Sequence, residues 1–107
     1  MKRCIVGIRR PEDQSHSAAG PGQPSVWFPS MATMAAVLSE DNRALLRVIR
    51  DQRPKSLTAL AALTGRRVPN LSRSLRMMEG YGLVKLKRDG NSVEPVALAT
   101  TFTILID

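Results

Sequence analysis

The chain holds a single cysteine, Cys4, and a single histidine, His16. One cysteine cannot make an internal disulfide, and one Cys with one His cannot complete a tetrahedral zinc site within one copy. This usage suits a reducing compartment. Aromatic residues are scarce, with one Trp, one Tyr and two Phe, which leaves little for any binding mode built on stacking. No apolar run approaches the roughly 20 residues that span a bilayer. The opening MKRCIVGI is basic and then apolar, but Arg9-Arg10-Pro11 cut it too short for a secretory signal. The expectation is a cytoplasmic protein with no membrane partner. There is no phosphate loop, no nucleophile beside a histidine and no paired carboxylates in a legible pocket, so neither an enzyme nor a cofactor is expected. Acids are also few. Nine Asp and Glu face sixteen Lys and Arg, for a net charge of +7, a balance that favours a polyanionic partner.

With 107 residues there is room for one small domain and a tail. Residues 11–25, PEDQSHSAAGPGQPS, carry almost nothing large and apolar with which to offset ordering entropy. Residues 1–25 are therefore read as a flexible N-terminal tail, whose first 24 residues should be dispensable, and 26–107 as the folded domain. Val26-Trp27-Phe28 reads as a short strand docked on it. Ser30 can cap a helix over residues 31–38, and Ser39 a second one with Glu40 and Asp41 in its first turn and Leu45, Val48 and Ile49 on one face. Pro54 closes that region. Ser56 caps a third helix that should bury Leu57, Leu60, Ala61 and Leu63, and Gly65 supplies a turn. Pro69 fits the first turn of a fourth helix with an inward stripe of Leu71, Leu75 and Met78. Val84 and Leu86 then alternate with Lys85 and Lys87, Asp89-Gly90 suits a type I′ hairpin, and Val93, Val96 and Leu98 lie on the return, with Pro95 favouring a sheet edge. Residues 101–107, TFTILID, form a final β-rich run with apolar groups on both faces.

Ala61, Gly65 and Leu71 have the spacing of a helix-turn-helix, which wants a small residue where the helices meet, Gly in the turn and an aliphatic anchor beyond it. Two positions depart from it: Arg66 stands in the turn, and Ser74 stands where an aliphatic is common. A basic hairpin follows as a wing. Between Arg66 and Arg88 there are seven Lys or Arg and one acid, Glu79. The fold expected is mainly α with a small antiparallel β-sheet, a winged helix-turn-helix. Over roughly residues 37–98 the chain resembles winged helix-turn-helix regulators of the MarR-like class. The carriers are SLTALAALTGR, NLSRSLRMMEGYGLV and KLKRDGNSVEP. It looks closest to the small regulators of prokaryotic mobile elements, some of which are regarded as antitoxins. The resemblance implies double-stranded DNA as partner, a homodimer and a repressor-type role.

On the fourth helix, Asn70, Arg73 and Met77 are read as a face opposite the apolar stripe. Asn pairs bidentately with adenine and Arg with guanine, so Asn70 and Arg73 are the expected base readers, with Pro69 and Ser72 beside them. Arg66, Arg67 and Arg76 are assigned to phosphates. Lys85, Lys87, Arg88 and Asn91 would bring the wing to the backbone or minor groove. The rival reading is an antitoxin or adaptor whose main partner is another protein, such as a toxin. An RNA binder is disfavoured by the scarcity of aromatics.

Overall fold

The computed structural model describes residues 3–8 and 25–106. Two strands, β1 (Arg3–Ile8) and β2 (Val26–Phe28), are followed by four helices, α1 (Met31–Val37), α2 (Glu40–Gln52), α3 (Leu57–Thr64) and α4 (Val68–Gly80), and then by β3 (Val84–Asp89), β4 (Ser92–Ala97) and β5 (Thr101–Leu105). Serine hydroxyls start three of the helices. Ser30 accepts from the N–H of Thr33, Ser39 from Asn42 and Ser56 from Ala59, at 3.0 to 3.1 Å, satisfying donors that a helix start leaves unpaired. Asn42 is buried because it ties two helices together: its amide donates to the carbonyl of Val37 at 3.0 Å, at the end of α1.

The helices enclose a core in which Leu45, Leu46, Ile49, Leu60, Leu71, Leu75 and Met78 are at most 2% exposed. Val84 and Ala97 close it from the antiparallel β3–β4 hairpin, where they pair in register. Leu63, expected inside, is 50% exposed. The eight-residue α3 buries fully only Leu60, with Leu57 and Ala61 half-buried, and its last turn carries Leu63 to the outer side.

The sheet content differs from the expectation of a small antiparallel sheet alone. The hairpin is antiparallel, but β2, β1 and β5 form a second, three-stranded sheet that is parallel throughout, with β1 at its centre. The reading of 1–25 as a flexible tail therefore fails for Arg3–Ile8; residues 9–24 lie outside the described residues. Val6 pairs with Val26 on one side and Ile104 on the other and is fully buried. With Phe28 it covers the core, and the Phe28 ring meets that of Tyr81 at the exit of α4, centroids 4.7 Å apart. The hairpin turn also falls one residue later than read. Asp89 pairs with Ser92, leaving Gly90 and Asn91 as the loop. Gly90 has φ 62° and Asn91 is not in the positive-φ region, a pattern that fits a type II′ turn with Gly first rather than type I′.

Since β1 is the centre of the parallel sheet, Val6→Ala should lower unfolding free energy by about 1–3 kcal/mol, and deletion of residues 1–24 should cost more, because β2 and β5 lose their shared partner. Urea denaturation of the variants checks this; an unshifted midpoint for the deletion would show that β1 contributes nothing to stability.

Candidate nucleic-acid interface

α3 ends on Gly65, whose N–H bonds the carbonyl of Ala61 at 2.8 Å with φ at 74°. A side chain there would be strained by the left-handed backbone, although the space around it is open. The chain then turns into α4, whose rotation is set by the burial of Leu71, Leu75 and Met78. At 100° per residue, Arg73, Pro69 and Arg76 fall opposite that stripe, and all three are exposed. Ser72 is half-buried on one flank. Asn70 and Ser74 fall on the other flank rather than on the outermost face.

That second flank is organised by Arg66. Its Nε donates to Asn70 Oδ1 at 3.1 Å, and its Nη2 donates to the same oxygen and to Ser74 Oγ at 2.9 Å. Its Nη1 is buried and unpaired, beside a cleft between α2 and α4 lined by Asp41, Ala44, Leu45 and Val48. The Arg66 side chain thus lies along α4 instead of reaching outward. The two residues that depart from the helix-turn-helix pattern, Arg66 and Ser74, are bonded to each other. An open cleft of about 390 Å³ gathers Arg66, Arg67, Pro69, Asn70 and Arg73.

The wing stands beside α4 through two ties. Leu83 N–H bonds the Met78 carbonyl at 2.9 Å. Glu79 Oε2 accepts the N–H of Leu86 at 2.9 Å, a donor on the outer edge of β3. Glu79, the one acid in the basic stretch, is therefore a fastener between α4 and the hairpin, a role its sequence position gave no sign of. Lys85, Lys87, Arg88 and Asn91 are all exposed, but they do not share a face. Alternation along β3 puts Lys85 and Lys87 on one side and Arg88 on the other, in the row of Val84 and Leu86. Lys87 pairs in register with Glu94, which also meets Lys55 at 3.5 Å, and Arg53 lines the same cleft. The fold thus adds Arg53 and Lys55 to the wing's surroundings, although they are distant in sequence.

Among the described residues the ion pairs are Lys55–Glu94 and Arg50–Asp51, the latter at 2.7 Å. The hydrogen bond from Arg50 lowers the pKa of the Asp51 carboxyl. Neither pair involves α4, so Arg67, Arg73 and Arg76 are exposed outside any ion pair. Among the described residues no three His, Cys, Asp or Glu side chains gather as a metal site, and no helix is long and apolar enough to cross a membrane.

Residues 37–104 match the model of the HVO_A0114 family. The chain belongs to the HVO_A0114 family. The match runs from the end of α1 to β5 and includes the helix pair and the wing. None of the curated proteins compared matches this chain. Among solved structures, this HVO_A0114 member is similar to the crystal structure of the predicted DNA-binding transcriptional regulator from E. coli, with a TM-score of 0.52 and 20% identity, over 64% of this chain and 73% of that one. At this identity the likeness is one of fold.

Glu79→Ala should free the Leu86 N–H and speed its hydrogen exchange, with a stability loss of about 0.5–1.5 kcal/mol. Glu79→Gln keeps an acceptor oxygen and should preserve most of the protection. Equal exchange at Leu86 in all three proteins would show that the bond does not hold the wing.

Proposed function

We propose that this protein is a sequence-specific double-stranded DNA-binding transcription regulator of MarR-like type, acting as a homodimeric repressor. The observation that carries the reading is the outer face of α4. Arg73 and Arg76 project opposite a fully buried stripe, neither of them in an ion pair, while the one acid of α4, Glu79, is turned to the wing and fastens it alongside. A helix so presented fits the major groove, where Arg73 reads a base edge and Arg67 and Arg76 meet phosphates. The description of the similar E. coli structure as a predicted DNA-binding transcriptional regulator supports this reading.

The dimer draws on the parallel sheet. Ile104, Leu105 and Ile106 are 43–60% exposed, and β5 is an edge of the sheet. Leu105 lies on the face of β5 opposite the row of Ile104 and Val6, and Ile106 follows at its end. Parallel sheets are ordinarily covered on both faces and exposed apolar edges invite pairing, so a second copy is the proposed cover. A two-fold dimer would also double the few base pairs that one helix reads.

Selection of binding sites from a random DNA library by the purified protein should enrich a palindrome. Arg73→Ala should reduce discrimination between that site and random DNA by about 1–3 kcal/mol. Arg88→Ala should weaken both kinds of binding and lower the slope of log K against log salt by about 0.9. A library without any enriched motif overturns the regulator reading. In sedimentation, deletion of residues 101–107 should convert a dimer to monomer; a monomeric full-length protein that copurifies with a small partner would favour the antitoxin reading instead.

A further inference from the structure

We propose that Arg66 sets the hydrogen-bond polarity of Asn70, so that the recognition helix offers Asn70 to DNA as a donor only and cannot make the two-point contact with adenine. The inference rests on the DNA-reading role proposed above.

A side-chain amide has one acceptor oxygen with two lone pairs and one NH2 with two donors. Here Asn70 Oδ1 receives both the Nε and the Nη2 of Arg66. The orientation of the amide follows from chemistry, because a guanidinium has five donors and no acceptor and only the oxygen can face it. Both lone pairs are then engaged, and the two N–H bonds of Nδ2 are what remains for the groove.

Adenine recognition by Asn needs both ends of the amide, the oxygen accepting from N6 and the nitrogen donating to N7. A donor alone is best matched where acceptors stand without a competing amine, at N7 and O6 of guanine or O4 of thymine; adenine N7 also accepts, but the N6 amine beside it then faces an oxygen already occupied. The adenine contact expected for Asn70 from residue type alone is thereby replaced by a preference for guanine or thymine.

The latch has more than one point of attachment. Nη2 also holds Ser74 Oγ at 2.9 Å, one turn further along α4. Nη1 is buried without a partner, so the guanidinium sits in the α2–α4 cleft. Arg66 and Ser74 stand at two positions where the motif often carries aliphatic residues. What an aliphatic pair would supply as packing, this pair supplies as a fixed donor set turned on Asn70. Arg66 is thus a positioning residue that acts through Asn70.

Library selections with the wild type, Asn70→Ala, Arg66→Met and Asn70→Asp test the proposal, with thermal melts checking that each variant is folded. Asn70→Ala should flatten one position in each half-site, and the wild type should prefer guanine or thymine there. Arg66→Met frees Oδ1 and should raise adenine at that position by about fivefold or more, within the worth of a two-point contact. Loss of a merely structural arginine would weaken all sites alike and leave the base identity unchanged. If Arg66→Met does not fold, Asn70→Asp decides, since it keeps an acceptor for Arg66 but turns the outward donor into an acceptor. It should move the preference to cytosine or adenine, which present an amine. Adenine in the wild-type motif at that position, no position sensitive to Asn70→Ala, or an unchanged preference in a folded Arg66→Met protein overturns the proposal while leaving DNA reading intact. A wild-type selection without any motif overturns both.

Discussion

The rotation of α4 about its own axis depends on three side chains, Leu71, Leu75 and Met78, none of which keeps any exposed surface. Burying a side chain of that size contributes about 1.5–3 kcal/mol, so the helix cannot turn by even one position without giving up most of its anchorage. Everything on its surface follows from that angle. Arg73 and Arg76 are turned outward, Glu79 reaches β3, and Asn70 and Ser74 come within reach of Arg66. The chemistry of the outer face is thus decided on the inner one.

The second constraint is the parallel sheet. A winged hairpin and four helices leave one side of the core open near α1 and the exit of α4. Val6, Val26 and Phe28 cover that side, and Phe28 stacks on Tyr81. The helix-turn-helix unit lies in sequence between β2 and β5, and both strands bond to β1. The sheet therefore clasps the domain at the point where its two ends meet, and part of its outer face remains apolar.

Much of the helical architecture was legible in the chain. Ser30, Ser39 and Ser56 cap their helices as side-chain chemistry demands, Gly65 takes the left-handed turn, and the spacing of Leu71, Leu75 and Met78 marks the inward stripe. β1 was hidden because RCIVGI is short and its partners are remote in sequence, so local periodicity holds no sign of the pairing. The neighbouring Pro- and Gly-rich stretch made the whole segment read as tail. Leu63 was placed inside by residue type, whereas its exposure is decided by where α3 stops. At the candidate site, the outward position of Arg73 follows from helical periodicity. The inward fold of Arg66 does not, since an arginine's reach depends on which acceptors lie nearby. The sign of it was there as two separate anomalies, Arg66 and Ser74, whose connection needed three dimensions.

The central place of β1 has a kinetic corollary. This strand is synthesised early, and one of its two partners, β5, only after the helices and the hairpin. Contacts between segments so far apart in sequence are slow to form, because a long loop must close before any of them stabilises the chain. On the ribosome the helix-turn-helix unit can collapse first, with Val6 still waiting for Ile104. The pairing of β1 with β5 must therefore wait for the last strand to be made, and until then β1 has an open edge that can pair with the wrong chain.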